Sequence, residues 1–166
     1  MKTRTFVKTL ALASVLTAVA VVGSAFSFPV FGSKCAPVQH MVNVLCAVLL
    51  GPWWGVGVAF VASLLRNILG LGSLMAFPGS MCGALLCGLC YRSTKKLTPT
   101  LIGEVFGTGI LGGLVAWLIA STLLGSKAVA WFFVPPFLVS TIGGSIIAGL
   151  LLKSGLLSQL KMKAGK

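Results

Sequence analysis

The sequence predicts an all-α integral membrane protein with six transmembrane helices. Of its 166 residues, 57% are hydrophobic and only 8% are charged, and the mean hydropathy is +1.07. A soluble domain of this length would need far more charged surface. Long apolar runs, separated by short basic or turn-rich stretches, are typical of helices that cross a bilayer.

The first apolar run covers residues 6–26 and begins among three basic residues, Lys2, Arg4 and Lys8. It could be a secretory signal peptide that is cleaved near residues 23–25. Its apolar core is long for that, however, and Thr9, Ala13 and Thr17 repeat at four-residue spacing. Such a stripe of small side chains lets another helix approach closely. We therefore favour a retained transmembrane helix.

The motif GPWWG at residues 51–55 interrupts the second apolar run. Gly-Pro marks a turn, and tryptophan favours the membrane interface. The pattern therefore predicts two short helices of ~20 Å each, residues 38–50 and 52–65, joined by a tight turn. The remaining predicted spans are residues 74–91, 101–124 and 130–152.

The basic residues favour six spans and place both termini in the cytoplasm. With a hairpin at GPWWG, ten of the 13 Lys and Arg residues lie inside and three lie outside. A single long helix would instead leave five inside and eight outside, against the positive-inside rule. The net charge of +12 therefore reflects membrane topology and not nucleic-acid binding. We expect residues 1–166 to form one integral-membrane domain. The ten inside residues are Lys2, Arg4, Lys8, Arg92, Lys95, Lys96, Lys153, Lys161, Lys163 and Lys166, and the outside residues are Lys34, Arg66 and Lys127.

The sequence lacks the residues that most enzymes need. It has one acidic residue, Glu104, and one histidine, His40, so it has neither a carboxylate pair nor a typical metal-binding set. A membrane enzyme acting on lipid would have to use these two side chains. Cys82, Cys87 and Cys90 copy an iron–sulfur spacing, but a helix spreads them over more than one face and no fourth ligand is evident. We predict no catalytic activity, metal or cofactor.

Polar and aromatic side chains concentrate at the predicted outer ends of the helices. Gln39 and Asn43 share a helix face because they are four residues apart. We expect such groups to form a shallow pocket for a small molecule. Alternatively, the polar groups satisfy loop backbone, Arg66 extends to the interface, and Trp131 is an interfacial anchor. The candidate substrate-binding residues are Gln39, His40, Asn43, Arg66, Asn67, Phe77, Ser80 and Trp131.

Nearly the whole chain, about residues 6–152, resembles the ThiW family. These proteins are substrate-binding S components of energy-coupling factor (ECF) vitamin transporters. The stretches that carry the resemblance are KCAPVQHMVNVLCAVLLGPWWGVGVAF, SLLRNILGLGSLMAFPGSMCGALLCGLCYR and GEVFGTGILGGL. The resemblance implies an S-component-like helical bundle in the prokaryotic plasma membrane. It also implies that the ligand, hydroxyethylthiazole, binds from outside, with another small vitamin or precursor such as hydroxymethylpyrimidine as the alternative.

The resemblance also implies protein partners, namely a transmembrane T subunit and two ABC-type ATPases. S components of this kind carry an Ala-x-x-x-Ala motif on the first helix that docks the T subunit. The nearest match here is Ala13-x-x-x-Thr17, with Ser14-x-x-x-Ala18 beside it.

Glu104 is expected at the cytoplasmic edge of the fifth helix. If that helix starts at Pro99, the carboxyl group lies only ~8 Å along it, near Arg92, Lys95 and Lys96. The sequence therefore predicts an ion pair with a structural or partner-coupling role, on the opposite face of the membrane from the pocket.

Overall fold

The computed structural model describes residues 2–30 and 33–155, which are mostly helical. A 3₁₀ turn, Ser24–Phe26, follows the first helix, and a π-helical segment, Gly107–Gly112, joins α5 to α6. The α-helices of this part of the chain are α1 (Lys2–Gly23), α2 (Pro37–Leu49), α3 (Pro52–Ile68), α4 (Ala76–Thr94), α5 (Leu97–Phe106), α6 (Gly113–Leu123) and α7 (Val134–Lys153).

Within residues 2–30 and 33–155, three helices are long and apolar enough to cross a membrane. They are Thr3–Phe26, Leu97–Leu123 and Val134–Lys153, and α2 is a shorter apolar helix. The six predicted spans coincide with the observed helices to within a few residues. The helix in the fifth predicted span, α5, begins earlier than predicted, at Leu97. The helix in the sixth predicted span, α7, begins later, at Val134, after a turn.

The predicted break at GPWWG is confirmed. Helix α2 ends at Leu49 and α3 starts at Pro52. Gly51 between them has a φ of +89°, a conformation that favours glycine. Pro52 then occupies the first turn of α3, where its missing N–H has no helical partner to lose.

A short β-hairpin lies between the first two predicted spans and precedes α2. Strand β1 (Phe28–Val30) pairs antiparallel with β2 (Ser33–Cys35), with Phe28 opposite Cys35. Three-residue strands are too short to produce a recognisable alternation of polar and apolar residues.

Side chains on β2 fix the hairpin to the bundle. The Cys35 thiol donates to the carbonyl of Pro136 at 3.1 Å, and Lys34 Nζ donates to the carbonyl of Gly70 at 3.3 Å. The backbone N–H of Ala36 donates to Ser140 Oγ at 2.9 Å. Burial raises the pKa of the Cys35 thiol, which keeps it in the protonated form that can donate. The hairpin therefore covers one end of α7 and the α3–α4 connection.

Helix α2 is central in the bundle and contacts α1, α3, α4, α5 and α7. Its first turn lies very close to α7. A methyl group on Gly144 would lie 2.7 Å from His40 Cβ and 2.9 Å from Met41 N. The missing side chain at Gly144 is therefore what lets α7 support this turn.

The Gly144 contact predicts a stability difference between two neighbouring substitutions. Gly144→Ala should lower the free energy of unfolding by about 1–3 kcal/mol through overpacking. Gly143→Ala is the matched control, because its methyl group would lie 3.7 Å from Pro37 Cβ, an ordinary contact. Thermal unfolding in detergent measures both variants. Equal midpoints for the two would contradict the close approach of α7 to α2.

Candidate ligand-binding site

Two adjoining cavities lie beneath the hairpin, where α2, α3, α4 and α7 meet the π-helical segment. The deep cavity has a volume of about 30 Å³, and the outer cavity has a volume of about 320 Å³. The two share four lining residues, so they form one site with a narrow polar end and a wider mouth. The shared residues are Lys34, Arg66, Ala76 and Phe137.

Two buried side chains supply hydrogen-bond donors to the deep cavity. Gln39 is 1% exposed and Arg66 is 3% exposed, and Arg66 Nη1 donates to Gln39 Oε1 at 3.4 Å. Gln39 Nε2 and Arg66 Nε have no hydrogen-bond partner among the described residues. Leaving a buried donor unpaired costs about 1–3 kcal/mol, so these two N–H groups favour a ligand that brings an acceptor.

A polar cluster centred on Glu104 lies directly behind the deep cavity. Glu104 Oε1 accepts from Asn43 Nδ2 at 3.1 Å and from Thr108 Oγ1 at 2.9 Å. His40 Nδ1 lies 2.9 Å from the same oxygen. His40 and Thr108 also line the deep cavity, so they connect the carboxyl group to it.

Asn43 joins three helices within this cluster. Besides its bond to Glu104 on α5, its Nδ2 donates to the carbonyl of Ser80 on α4 at 3.0 Å. The hydroxyl of Ser80 in turn lies 2.9 Å from Ser63 Oγ on α3. The polar side chains are thus held in place by one another across α2, α3, α4 and α5.

The aromatic wall of the site comes from α7 and the turn before it. Phe137 lines both cavities and Phe133 lines the outer one, with ring centroids 6.2 Å apart. Gly79 makes room for Phe137, because a methyl group there would lie 2.8 Å from its ring. The wider mouth can therefore hold a flat, largely apolar group.

The predicted site residues fall into two groups. Gln39, His40, Arg66 and Ser80 line the deep cavity, and Asn43 lies behind it. The other predicted residues, Asn67, Phe77 and Trp131, line neither cavity.

The three outlying residues have other contacts. Asn67 Nδ2 donates to the carbonyls of Ser63 and Ser73. Phe77 packs on Phe60 with centroids 5.6 Å apart, and Trp131 is 61% exposed. They were chosen for their position at the predicted outer helix ends, which does not determine the direction of a side chain.

Sequence reasoning missed Lys34, Thr108, Phe137 and Ser140, which line the deep cavity. For Thr108 a signal existed, because it lies four residues after Glu104 and therefore on the same helix face. The other three depend on how the hairpin and α7 pack, for which the sequence holds no comparable pattern.

The predicted placement of Glu104 beside Arg92, Lys95 and Lys96 is wrong. The side chain is fully buried, and it is His40 Nδ1, not a lysine or arginine nitrogen, that lies 2.9 Å from its Oε1 in the described part of the chain. The helix begins at Leu97, so Glu104 lies ~10 Å along it. Helix α2 has only 13 residues, so its first turn, which carries His40, lies at a depth in the bundle similar to that of Glu104. The cavity thus lies next to Glu104 and not across the membrane from it.

The four small residues predicted for partner docking line an apolar groove between α1 and α3. The groove has a volume of about 620 Å³ and is bordered by Trp54, Val58 and Val61. Within the groove, Ala13 and Thr17 are buried against the bundle, whereas Ser14 and Ala18 are exposed. The docking role of Ala13, Ser14, Thr17 and Ala18 stays a prediction.

The cysteine spacing in α4 does not assemble a metal site in the described part of the chain. No group of three or more His, Cys, Asp or Glu side chains there could hold a metal ion. Cys87 is instead buried, with its thiol donating to the carbonyl of Asn43 at 3.6 Å.

The cluster predicts a large stability loss when Asn43 is shortened. Asn43→Ala removes the donor shared by Ser80 and Glu104 and should lower the free energy of unfolding by about 2 kcal/mol or more. Ser93→Ala is the control, because the Ser93 hydroxyl is exposed and bonds only within its own helix. Thermal unfolding of both in detergent tests this. Similar midpoints would show that the Asn43 bonds do not hold the helices together.

The comparisons with known proteins agree with this architecture. Residues 10–158 match the ThiW family, described as thiamine-precursor transporter proteins. The solved S component of a bacterial ECF transporter is 24% identical, with a TM-score of 0.75, and the alignment covers 93% of this chain and 98% of that one. This likeness shows the fold. No curated protein matches the sequence. The family match spans most of the chain, which therefore belongs to the ThiW family of thiamine-precursor transporter proteins.

Proposed function

We propose that this protein is the substrate-capture subunit of an ECF-type importer and that it binds hydroxyethylthiazole. The observation that carries the proposal is the pair of buried, unpartnered donors, Gln39 Nε2 and Arg66 Nε, at the narrow end of an aromatic-walled site. The S-component fold of the solved relative and the family's transport of thiamine precursors support the same function.

The ligand's chemistry matches the two cavities. Hydroxyethylthiazole is a flat, neutral ring with an acceptor nitrogen, a hydroxyl group and about nine heavy atoms. The deep cavity has room for about one water-sized group, so the ring itself would lie in the outer cavity against Phe133 and Phe137. Its polar atoms would then point toward Gln39, His40 and Arg66. At the ceiling of ~1.5 kcal/mol per heavy atom, nanomolar affinity is physically attainable.

The alternative ligand is another small vitamin or precursor, such as hydroxymethylpyrimidine. That ring carries an amino group, which requires acceptors. Among the buried atoms without a hydrogen-bond partner in the described residues, the donors Gln39 Nε2 and Arg66 Nε belong to residues that line the deep cavity. The acceptors Asn43 Oδ1 and Glu104 Oε2 belong to residues that line neither cavity, so the cavity itself favours the thiazole.

We further propose the membrane arrangement and partners of the intact transporter. Six spans with both termini in the cytoplasm, in a prokaryotic plasma membrane, would open the site to the outside. The energy would come from a transmembrane T subunit and two ABC-type ATPases, since the sequence has no G-x-x-x-x-G-K-[ST] phosphate-binding loop. The groove between α1 and α3 is the proposed T-subunit surface, because small side chains there allow close helix contact.

Substitution of the two donors tests the ligand. Purified wild-type protein should bind labelled hydroxyethylthiazole with a dissociation constant below micromolar in equilibrium dialysis. Gln39→Leu and Arg66→Met should each weaken binding by about tenfold or more, because each removes a buried hydrogen bond. Ser93→Ala should bind as the wild type does. Absence of saturable binding, or tighter binding of hydroxymethylpyrimidine, would refute the thiazole assignment.

A bulky substitution in the groove tests the partner surface. Ala18→Leu should reduce co-purification with a co-expressed T subunit and ATPases, because the added side chain obstructs close approach. Thiazole binding by the isolated variant should be unchanged, since Ala18 lines the groove and neither cavity. Thr122→Leu, at another exposed helical position, is the control. Normal assembly of Ala18→Leu would place the docking surface elsewhere.

A further inference from the structure

The single acid of the chain lies behind the binding site without lining it. Glu104 is fully buried and borders neither cavity. Its contacts with the deep cavity are indirect and pass through His40 and Thr108. These two side chains are therefore the direct hydrogen-bonded link between the carboxyl group and the cavity.

When the carboxyl group of Glu104 is ionised, the geometry at its Oε1 determines which nitrogen of His40 carries hydrogen. This oxygen already accepts from Asn43 and Thr108, and His40 Nδ1 lies only 2.9 Å away. An unprotonated Nδ1 would set its lone pair against an oxygen that acts as an acceptor. A ring with one proton therefore carries it on Nδ1, which leaves the lone pair of Nε2 as an acceptor.

Gly83 on α4 provides the space that makes this arrangement possible. A methyl group on Gly83 would lie 2.7 Å from both carboxyl oxygens of Glu104 and would also collide with Thr108 Oγ1. The missing side chain at Gly83 thus leaves the space in which the carboxyl group reaches His40.

We propose that Glu104 is a positioning residue that determines ligand specificity: by holding the Nδ1 hydrogen of His40, it directs an Nε2 acceptor toward a ligand hydroxyl. Of the buried unpartnered atoms in the described residues, Gln39 Nε2 and Arg66 Nε are donors on residues that line the deep cavity, whereas the acceptors Asn43 Oδ1 and Glu104 Oε2 lie on residues that line neither cavity. The site then offers donors for an acceptor ring atom and one acceptor for an O–H group. The identity of the ligand rests on the proposed function, whereas the hydrogen position on His40 does not.

The hydrogen position can be measured without any ligand. His40 is the only histidine, so ¹⁵N-histidine labelling of the full chain, purified with a histidine-free tag, gives an unambiguous imidazole spectrum. The wild type should show hydrogen on Nδ1, and Glu104→Leu should lose that preference. Glu104→Gln should keep it, because the amide oxygen can replace Oε1 as the acceptor for all three neighbours. A wild-type ring with hydrogen on Nε2 alone would overturn the proposal.

Ligand selectivity provides the second measurement. Wild-type protein should prefer hydroxyethylthiazole over its ethyl analogue, which lacks the hydroxyl group, by about tenfold, the value of one hydrogen bond. Glu104→Leu should lose most of this preference by weakening binding of the hydroxyl ligand only, and Glu104→Gln should retain it. A merely structural role would weaken both ligands equally, and that result would overturn the proposal.

Gly83→Ala keeps the carboxyl group but displaces it. It therefore tests the proposal independently if the Glu104 variants fail to fold. It should reduce both the Nδ1 preference and the hydroxyl selectivity. Gly57→Ala is its control, because a methyl group there meets no atom within 4 Å. Unchanged selectivity in Gly83→Ala would count against the proposal. If the wild type binds neither thiazole but keeps hydrogen on Nδ1, the ligand assignment fails while the positioning by Glu104 stands.

Discussion

Burial of a carboxyl group in an apolar bundle constrains the architecture around the site. Such a group needs partners, because an unpaired carboxylate away from water is very costly. Glu104 finds them on α2, in His40 and Asn43, and one turn along its own helix, in Thr108. Those bonds require α2, α4 and α5 to approach closely, and Gly83 on α4 permits it. The position of the cavity follows from this, since two of the partners also line it.

Much of the helical framework could be predicted from the sequence, including the break at residues 51–55. The proximity of His40 to Glu104 could also be predicted by counting residues along their two helices. His40 lies nine residues before the end of α2, or ~13 Å, and Glu104 lies seven residues after the start of its helix, or ~10 Å. These two ends of α2 and α5 lie on the same side of an alternating bundle. The prediction failed because it assumed a shallow pocket at the membrane face, whereas a short α2 forces the pocket inward.

The remaining features lack a sequence signal for physical reasons. The hairpin has three-residue strands and is held by contacts to Pro136, Ser140 and Gly70 that are remote in sequence. The π-helical turn at Gly107–Gly112 depends on tertiary packing, since a methyl group on Gly107 would lie 2.9 Å from the Cα atom of Gly83. A glycine-rich helix indicates that another helix packs closely against it. It does not indicate which helix that is. Side-chain direction at the mouth of the site is likewise decided by packing.

Helix α3 lines both the ligand site, through Arg66, and the α1–α3 groove, through Leu65 and Val61. Helix α2 lines the deep cavity and packs behind the groove. One face of its first turns carries Gln39 and His40 toward the cavity. Another face carries Val42 and Cys46 into the apolar cluster with the buried residues of α1 and α3, including Ala13. Close-packed interiors respond to displacement as units rather than by local compression. A ligand that contacts Arg66 therefore acts on the helix whose neighbouring residue, Leu65, lines the groove. Helix α2, which carries Gln39 and His40, packs against the inner side of the same apolar cluster.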